Sequence, residues 1–463
     1  MKSSCKIKHI LLSMALCWGS SIVSGASAQT RDLADSSTSV SEGFSFDSNS
    51  WREVFVDTQL QRLIEQGLIH NTDLNVARLR IDQAEATLKA ARLANLPSLA
   101  FSPNAGVSSF DREKATKTYA FPLQASWQVD LFGRLKNAKM QSRMLVESSK
   151  AYQQAVQVNL IASIAREYYT CALLHSQLML ANQSIDVWNE TVRAMKAFME
   201  EGQYTDAAVS QAEASREQVK VIAIDLEQQI RESMNAIKIL VGDSANAVAL
   251  AFHAGDFDES PKQLQSASKL MGINLASSQG IPLSRLSARP DVRQAEMNLA
   301  ASVYAVKEAR AAFYPSLTLS GTAGWTNSAG MIVNPGKMLF EAIASLTQPI
   351  FQNGRLKADL KIKQSQQEEA RLQFQQALLN AGVEVNNALT QVQTYNAKSV
   401  LLENQVKSLE RTVKSTRLLQ ENGSSNYLEV LTAQENLLSA QMAALQDDFM
   451  KVTSIIALYQ AIL

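Results

Sequence analysis

Cysteine is almost missing. The chain has three in 463 residues, and two of them, Cys5 and Cys17, sit close to the start. Only Cys171 lies beyond, so no disulfide forms within the rest of the chain and a disulfide scaffold is excluded. A lone cysteine in a helical stretch reads as a small packing residue. With 9 Pro and 18 Gly, the composition excludes collagen-like and low-complexity chains. Charge of one sign is also lacking: 44 basic residues face 44 acidic ones, which argues against a nucleic-acid partner. Aromatics reach only 6%. Beyond the start no apolar run is long enough for a transmembrane helix. Signatures of catalysis are missing too. His9, His70, His175 and His253 are scattered. No H-E-x-x-H, C-x-x-C, Walker loop or G-x-G-x-x-G is present, so no enzyme, metal site or cofactor is expected. Ser266 to Lys269 spells S-x-x-K without its companion motifs.

What remains is Ala, Gln, Leu, Ser and Val, the material of long helices. Lys2, Lys6 and Lys8, an apolar stretch from Ile10 to Trp18, and Ala26-Ser27-Ala28 form a secretory leader over 1–28. Gln29 then begins the mature chain. Cys17 follows Leu16, a poor match to a lipidation site. Residues 29–50 read as an extended N-terminal segment.

The most informative feature is a duplication. Asp73 to Leu99 aligns with Asp291 to Leu317, sharing Ala77/Ala295, Lys89/Lys307, Arg92/Arg310 and Pro97-Ser98-Leu99/Pro315-Ser316-Leu317. Gly133-Arg134-Leu135 then matches Gly354-Arg355-Leu356, and Gly202 matches Gly423. Each half runs helix, strand pair, very long helix, Gly turn, helix. The halves are placed at 51–242 and 290–463, joined by an inter-repeat linker at 243–289.

From about 131 to 201 there is no Pro, so the helix spans on the order of 105 Å. Leu178, Ala181, Ile185, Trp188, Val192, Met195 and Met199 recur at coiled-coil spacing, as do Leu402, Val406, Leu409 and Val413. Strands are expected at about 97–110, 118–131, 315–326 and 339–351. The second alternates cleanly: Tyr119, Phe121, Leu123, Ala125, Trp127, Val129 and Leu131 against Thr118, Gln124, Ser126, Gln128 and Asp130. Four strands close no barrel, and open edges cannot face lipid. If they span a membrane, several chains must share one barrel; three chains would supply twelve strands.

These elements resemble the TolC-like outer-membrane efflux channels, in the branch paired with RND-type multidrug pumps. The resemblance rests on Trp51-Arg52-Glu53-Val54-Phe55 with Asp57 and Leu60, and on Ile281-Pro282-Leu283 followed by Arg289-Pro290-Asp291-Val292. Tyr314-Pro315-Ser316-Leu317, and Gln348-Pro349-Ile350-Phe351 with Gly354-Arg355, complete it. It implies a mainly α chain with a β-barrel part. It further implies a homotrimeric twelve-stranded outer-membrane β-barrel continuous with a long periplasmic α-helical barrel. The partners it implies are outer-membrane lipid, a periplasmic adaptor protein and an inner-membrane pump. By resemblance, the turns Gly202-Gln203-Tyr204-Thr205 and Gly423-Ser424-Ser425-Asn426 dock the adaptor; a Gly ending a helix serves both turns equally well as backbone geometry. The aperture candidates are Leu428, Glu429, Thr432, Tyr427 and Asp206. Relatives often carry Asp where Thr432 stands, which leaves Glu429 or Asp206 to supply an acidic ring. Both acids also suit the first turn of a helix. A same-fold exit channel for protein secretion and a periplasmic coiled-coil scaffold are the alternatives.

Overall fold

The computed structural model describes residues 50–109, 114–242, 286–328, 333, 335–421 and 427–462. The leader, the segment after it, most of the inter-repeat linker and the turn Gly423-Ser424-Ser425-Asn426 lie outside them.

The chain enters through α1 (Ser50–Val54); its Trp51 and the following Phe55 are buried, Phe55 edge-on to Tyr459 at 5.5 Å. Asp57 then does two jobs. One carboxylate oxygen accepts the Gln59 and Leu60 amides at 2.7 and 3.3 Å, starting α2 (Thr58–His70). The other takes the Tyr168 hydroxyl at 2.6 Å. The two halves of the protein then follow with equal lengths. In the first, α3 (Thr72–Leu93) has 22 residues, α4 (Arg134–Glu200) 67 and α5 (Asp206–Val241) 36. In the second, α6 (Pro290–Ala311) has 22, α7 (Arg355–Glu421) 67 and α8 (Tyr427–Ile462) 36. Helix α6 packs between α4 and α7, whereas α3 packs along α4; α8 lies on both α7 and α4. Ala181, Trp188, Val192 and Met195 of the expected heptad are buried, with Leu178, Ile185 and Met199 packed beside them. Leu402, Val406, Leu409 and Val413 of α7 are half-buried.

The duplication extends to single hydrogen bonds. Asn71 caps α3 and donates its side-chain amide to the Leu240 carbonyl at 2.9 Å. At the matching place Arg289 precedes α6 and donates to the Ala461 carbonyl at 2.9 Å. Arg289 is 5% exposed and also grips Asp291 through two bonds, at 3.0 and 2.7 Å, and Glu384 at 2.7 Å. The Arg-Pro-Asp motif is thus a knot tying the start of α6 to α7 and to the end of α8. Pro290 fits there because the first helical turn needs no amide donor.

The strands form one antiparallel sheet: β1 (Ser98–Phe101) and β2 (Asn104–Ser108) both pair with β3 (Thr116–Val129), then β4 (Ser316–Thr326) and β5 (Lys337–Thr347) follow. The expected bounds shift: β3 and β5 each begin two residues earlier, at Thr116 and Lys337, and three further differences have a visible cause. The strand placed at 97–110 is cut at Ser102 and Pro103: the Ser102 amide still donates to the Pro122 carbonyl of β3 at 3.2 Å, but Pro122 has no amide to return the bond. Its register is unbroken across the cut, Leu99 opposite Ala125 and Ala105 opposite Tyr119. Strand β3 stops at Val129, short of 131, because Asp130 turns to accept the Lys136 amide at 2.8 Å as α4 begins. The last strand ends at Thr347, short of 351, where Gln348-Pro349 breaks the pairing.

Cross-strand partners share a face. One face carries Leu99, Phe101, Phe121, Leu123, Trp127, Leu317, Leu319, Trp325, Phe340 and Leu346. The other carries Ser98, Gln124, Ser126, Gln128, Thr318, Ser320, Thr322 and Glu341. Leu339 and Ile343 fall on this polar face, which is why the alternation of β5 reads weakly in sequence. The apolar face lies open: Leu99 is 68% exposed and Phe340 72%. Among the described residues no helix is long and apolar enough to cross a membrane.

One asymmetry separates the halves. Helix α5 buries Leu226 and Ile230; the matching α8 positions are Asp447 and Lys451, also buried. Lys398 of α7 stands 3.8 Å from the Asp447 carboxylate, and neither carboxylate oxygen has a hydrogen-bond partner. Burial pushes that carboxyl above its ordinary range, against the lowering by Lys398 and Lys451.

Candidate functional site

Helix α4 ends in a Schellman motif: the Gly202 amide donates to Met199 and the Gln203 amide to Phe198, both at 2.9 Å. Gly202 has φ +78° and nothing within 4 Å of where a Cβ would stand. Backbone conformation, not space, demands glycine here. Thr205 then caps α5, its hydroxyl accepting the Ala208 amide at 3.3 Å. Asp206 opens α5 and is exposed, at the end where the helix dipole favours an acid.

Tyr204, grouped by sequence with the docking turn, faces its own chain. Its ring meets Phe198 edge-on at 5.6 Å and Tyr427 at 5.7 Å. Its hydroxyl accepts from the Gln420 side chain at 2.8 Å. One turn residue of the first hairpin therefore touches both helices of the second. Two further bonds brace this end. Ser215 of α5 donates to Glu435 of α8 at 2.7 Å, and Lys196 of α4 pairs with Glu213 of α5 at 2.6 Å. The bond and charge of Lys196 lower the Glu213 carboxyl below its ordinary value.

The start of α8 divides by face. Val430 and Leu431 are 3% and 2% exposed. Leu428, Glu429 and Thr432 are exposed, and residues 428 and 432 stand one turn apart. The structure thus brings three aperture candidates together on one outward face. It turns Tyr427 inward against Tyr204 and leaves Asp206 on the other hairpin. Sequence reading missed Phe198, Gln420, Ser215 and Glu435. The available hint was a pair of tyrosines, Tyr204 and Tyr427, beside two Gly turns in a chain poor in aromatics. Among the described residues no cluster of His, Cys, Asp and Glu could hold a metal ion.

The outer membrane efflux protein family matches the sequence twice, over residues 63–243 and 282–462. The cation efflux system protein CusC of a uropathogenic Escherichia coli is 27% identical over 421 residues, 90% of this chain and 88% of that protein. The toluene efflux pump outer membrane protein TtgC of Pseudomonas putida is 27% identical over 422 residues, 89% of this chain and 84% of that one. A crystal structure of CusC superposes with a TM-score of 0.81 at 27% identity, covering 91% of this chain and 96% of the other.

Proposed function

The chain belongs to the outer membrane efflux protein family, and from that premise we propose how its hairpin tips control the duct it builds. It is the outer-membrane channel of a tripartite efflux system, a homotrimer of a Gram-negative bacterium with a periplasmic helical extension. It works with a periplasmic adaptor and an inner-membrane pump, here taken to be of the RND type. A sheet with one open apolar face and two free edges, β1/β2 and β5, requires further copies and lipid around it. Relatives at equal identity bear the names of cation and toluene efflux, so the duct is read as an exit for small solutes that the pump selects.

In the closed trimer the outward face of Leu428, Glu429 and Thr432 narrows the passage. Leu428 supplies the apolar constriction and Glu429 a ring of three carboxylates favouring cations. The tie from Tyr204 to Tyr427 and Gln420 holds the second hairpin against the first. The adaptor engages the tips at Gly202-Gln203 and Gly423-Ser424-Ser425-Asn426. It binds the open arrangement better and so shifts the population without supplying energy of its own. The observation that carries this reading is the Tyr204 contact with both α7 and α8. Planar-bilayer conductance of a Leu428→Ala/Glu429→Gln variant tests the aperture: the resting conductance rises and cation preference falls. Unchanged values in both would remove these residues from the aperture.

A further inference from the structure

Where the duplication repeats the chain's internal seam between neighbouring subunits, we propose that Arg80 of one subunit pairs with Glu369 of the next. This rests on the trimeric channel reading above.

The duplication supplies a template. Helix α3 corresponds to α6, and α4 to α7, residue for residue. Inside the chain α6 packs on α4 of the other half, and across that seam Ser148 donates to the Asn298 side chain at 2.7 Å. Carried to the copied seam, α7 takes the place of α4 and α3 of a second copy takes the place of α6. Position 148 becomes Glu369 and position 298 becomes Arg80. A neutral short pair inside is thus an acid and a base outside, and longer side chains span a seam that no covalent link tightens. Both residues are exposed in the single chain and already held on their helix faces. The Arg80 guanidinium lies 5.1 Å from the centre of the Tyr152 ring, and Glu369 accepts from Gln373 at 3.2 Å.

Burial along the same helices agrees. Ala151 and Ala162 of α4 are 1% and 0% exposed; their α7 counterparts, Leu372 and Val383, are 53% and 57% exposed. On α3, Val76 and Leu79 are open as well, at 42% and 57%. The free edges of β1/β2 and β5 continue this seam into the sheet, where the chain's own β3–β4 pairing is the matching contact. A second copy of the chain fits all three observations at once.

Charge at this place has a reason. Within a chain the register of α6 on α4 is fixed by connectivity, so a neutral pair suffices. Between chains it must be selected. An exposed ion pair adds little affinity, but a misplaced like charge is strongly disfavoured. The pair therefore sets register more than it adds strength.

Cysteine cross-linking of the full-length trimer in detergent tests this. Arg80→Cys with Glu369→Cys, oxidised, is expected to give dimer and trimer bands on a non-reducing gel. Cys171 does not interfere: it is fully buried and burial pushes its thiol up to about 12. Ser148→Cys with Asn298→Cys is the internal control and closes within one chain. Separately, Arg80→Glu or Glu369→Arg alone raises the monomer fraction several-fold on warming, and the two together restore it. A trimeric protein whose control bond forms, but whose 80/369 pair gives no intersubunit bands, overturns the proposal alone. Charge reversals that simply add also overturn it. A wild-type protein of monomeric mass overturns the channel reading and this proposal with it.

Discussion

Removing one hydroxyl at the hairpin tip should make the channel leak. Tyr204→Phe keeps the ring against Phe198 and Tyr427 and deletes only the bond from Gln420. A single neutral hydrogen bond contributes about 1 kcal/mol net, and less where the group is only half-buried, so about 0.7 kcal/mol is a fair value here. Three subunits that open together lose about 2 kcal/mol of closed-state preference, roughly a thirtyfold gain in open time. Tyr204→Ala also removes the ring contact with Tyr427, about 1 kcal/mol, so each subunit loses nearly 2 kcal/mol of the tie and the closed state ceases to dominate. Single-channel recording of the purified trimer in planar bilayers reads the open fraction directly. Gln420→Leu supplies the internal check. Because it removes the same bond, the double variant with Tyr204→Phe should open no more than either single one. An open fraction unchanged in both the Phe and the Ala variants would refute the tie. Full additivity with Gln420→Leu would refute the bond as its agent.

Other perturbations follow from the same framework. Replacing Asp447 and Lys451 by the Leu and Ile of the first half should slow amide exchange along α7 and α8. Exchanging a buried ion cluster for apolar residues is often neutral or stabilising by about 1–4 kcal/mol. Asp447 binds its proton more tightly in the folded hairpin than in the unfolded chain, so that hairpin is tightest below the ordinary carboxylate value. It loosens as pH rises through the raised one. Hydrogen exchange measured across that interval should show the dependence in the native protein and not in the Leu/Ile variant. Arg289→Met should cost about 2 kcal/mol, since it strips charged bonds from Asp291 and Glu384, which stay partly solvated, and removes the donor to the buried Ala461 carbonyl; the unfolding midpoint should fall. Gly202→Ala should cost about 1 kcal/mol through its positive φ alone, seen as faster exchange at the end of α4. A maleimide probe should leave Cys171 unmodified until the protein is unfolded.

The long helices and the faces of β3 and β4 were legible because they are periodic, and periodicity survives in a single sequence; β5 was not, because Leu339 and Ile343 interrupt its alternation. The strand ends were not: Pro122, Asp130 and Pro349 each act through one bond withheld or diverted, which leaves the alternation intact around it. The Gly202 turn was legible because positive φ restricts residue choice. The inward set of Tyr204 was not, since its partners Gln420 and Tyr427 lie more than two hundred residues away in sequence. Asp447 and Lys451 look like one more solvated helical pair until the duplication is laid over the burial. Only then do they stand where Leu226 and Ile230 stand.

The matched 67-residue and 36-residue helices bind the two halves to a common evolutionary fate. A heptad inserted into the first hairpin alone would push its tip roughly 10 Å beyond the second. An adaptor meeting three long and three short fingers would then seal against only half of them. Lengthening or shortening of this duct can therefore survive only as paired events, one in each half and of the same size. Any relative with a taller or shorter tube should carry its insertions or deletions in such pairs.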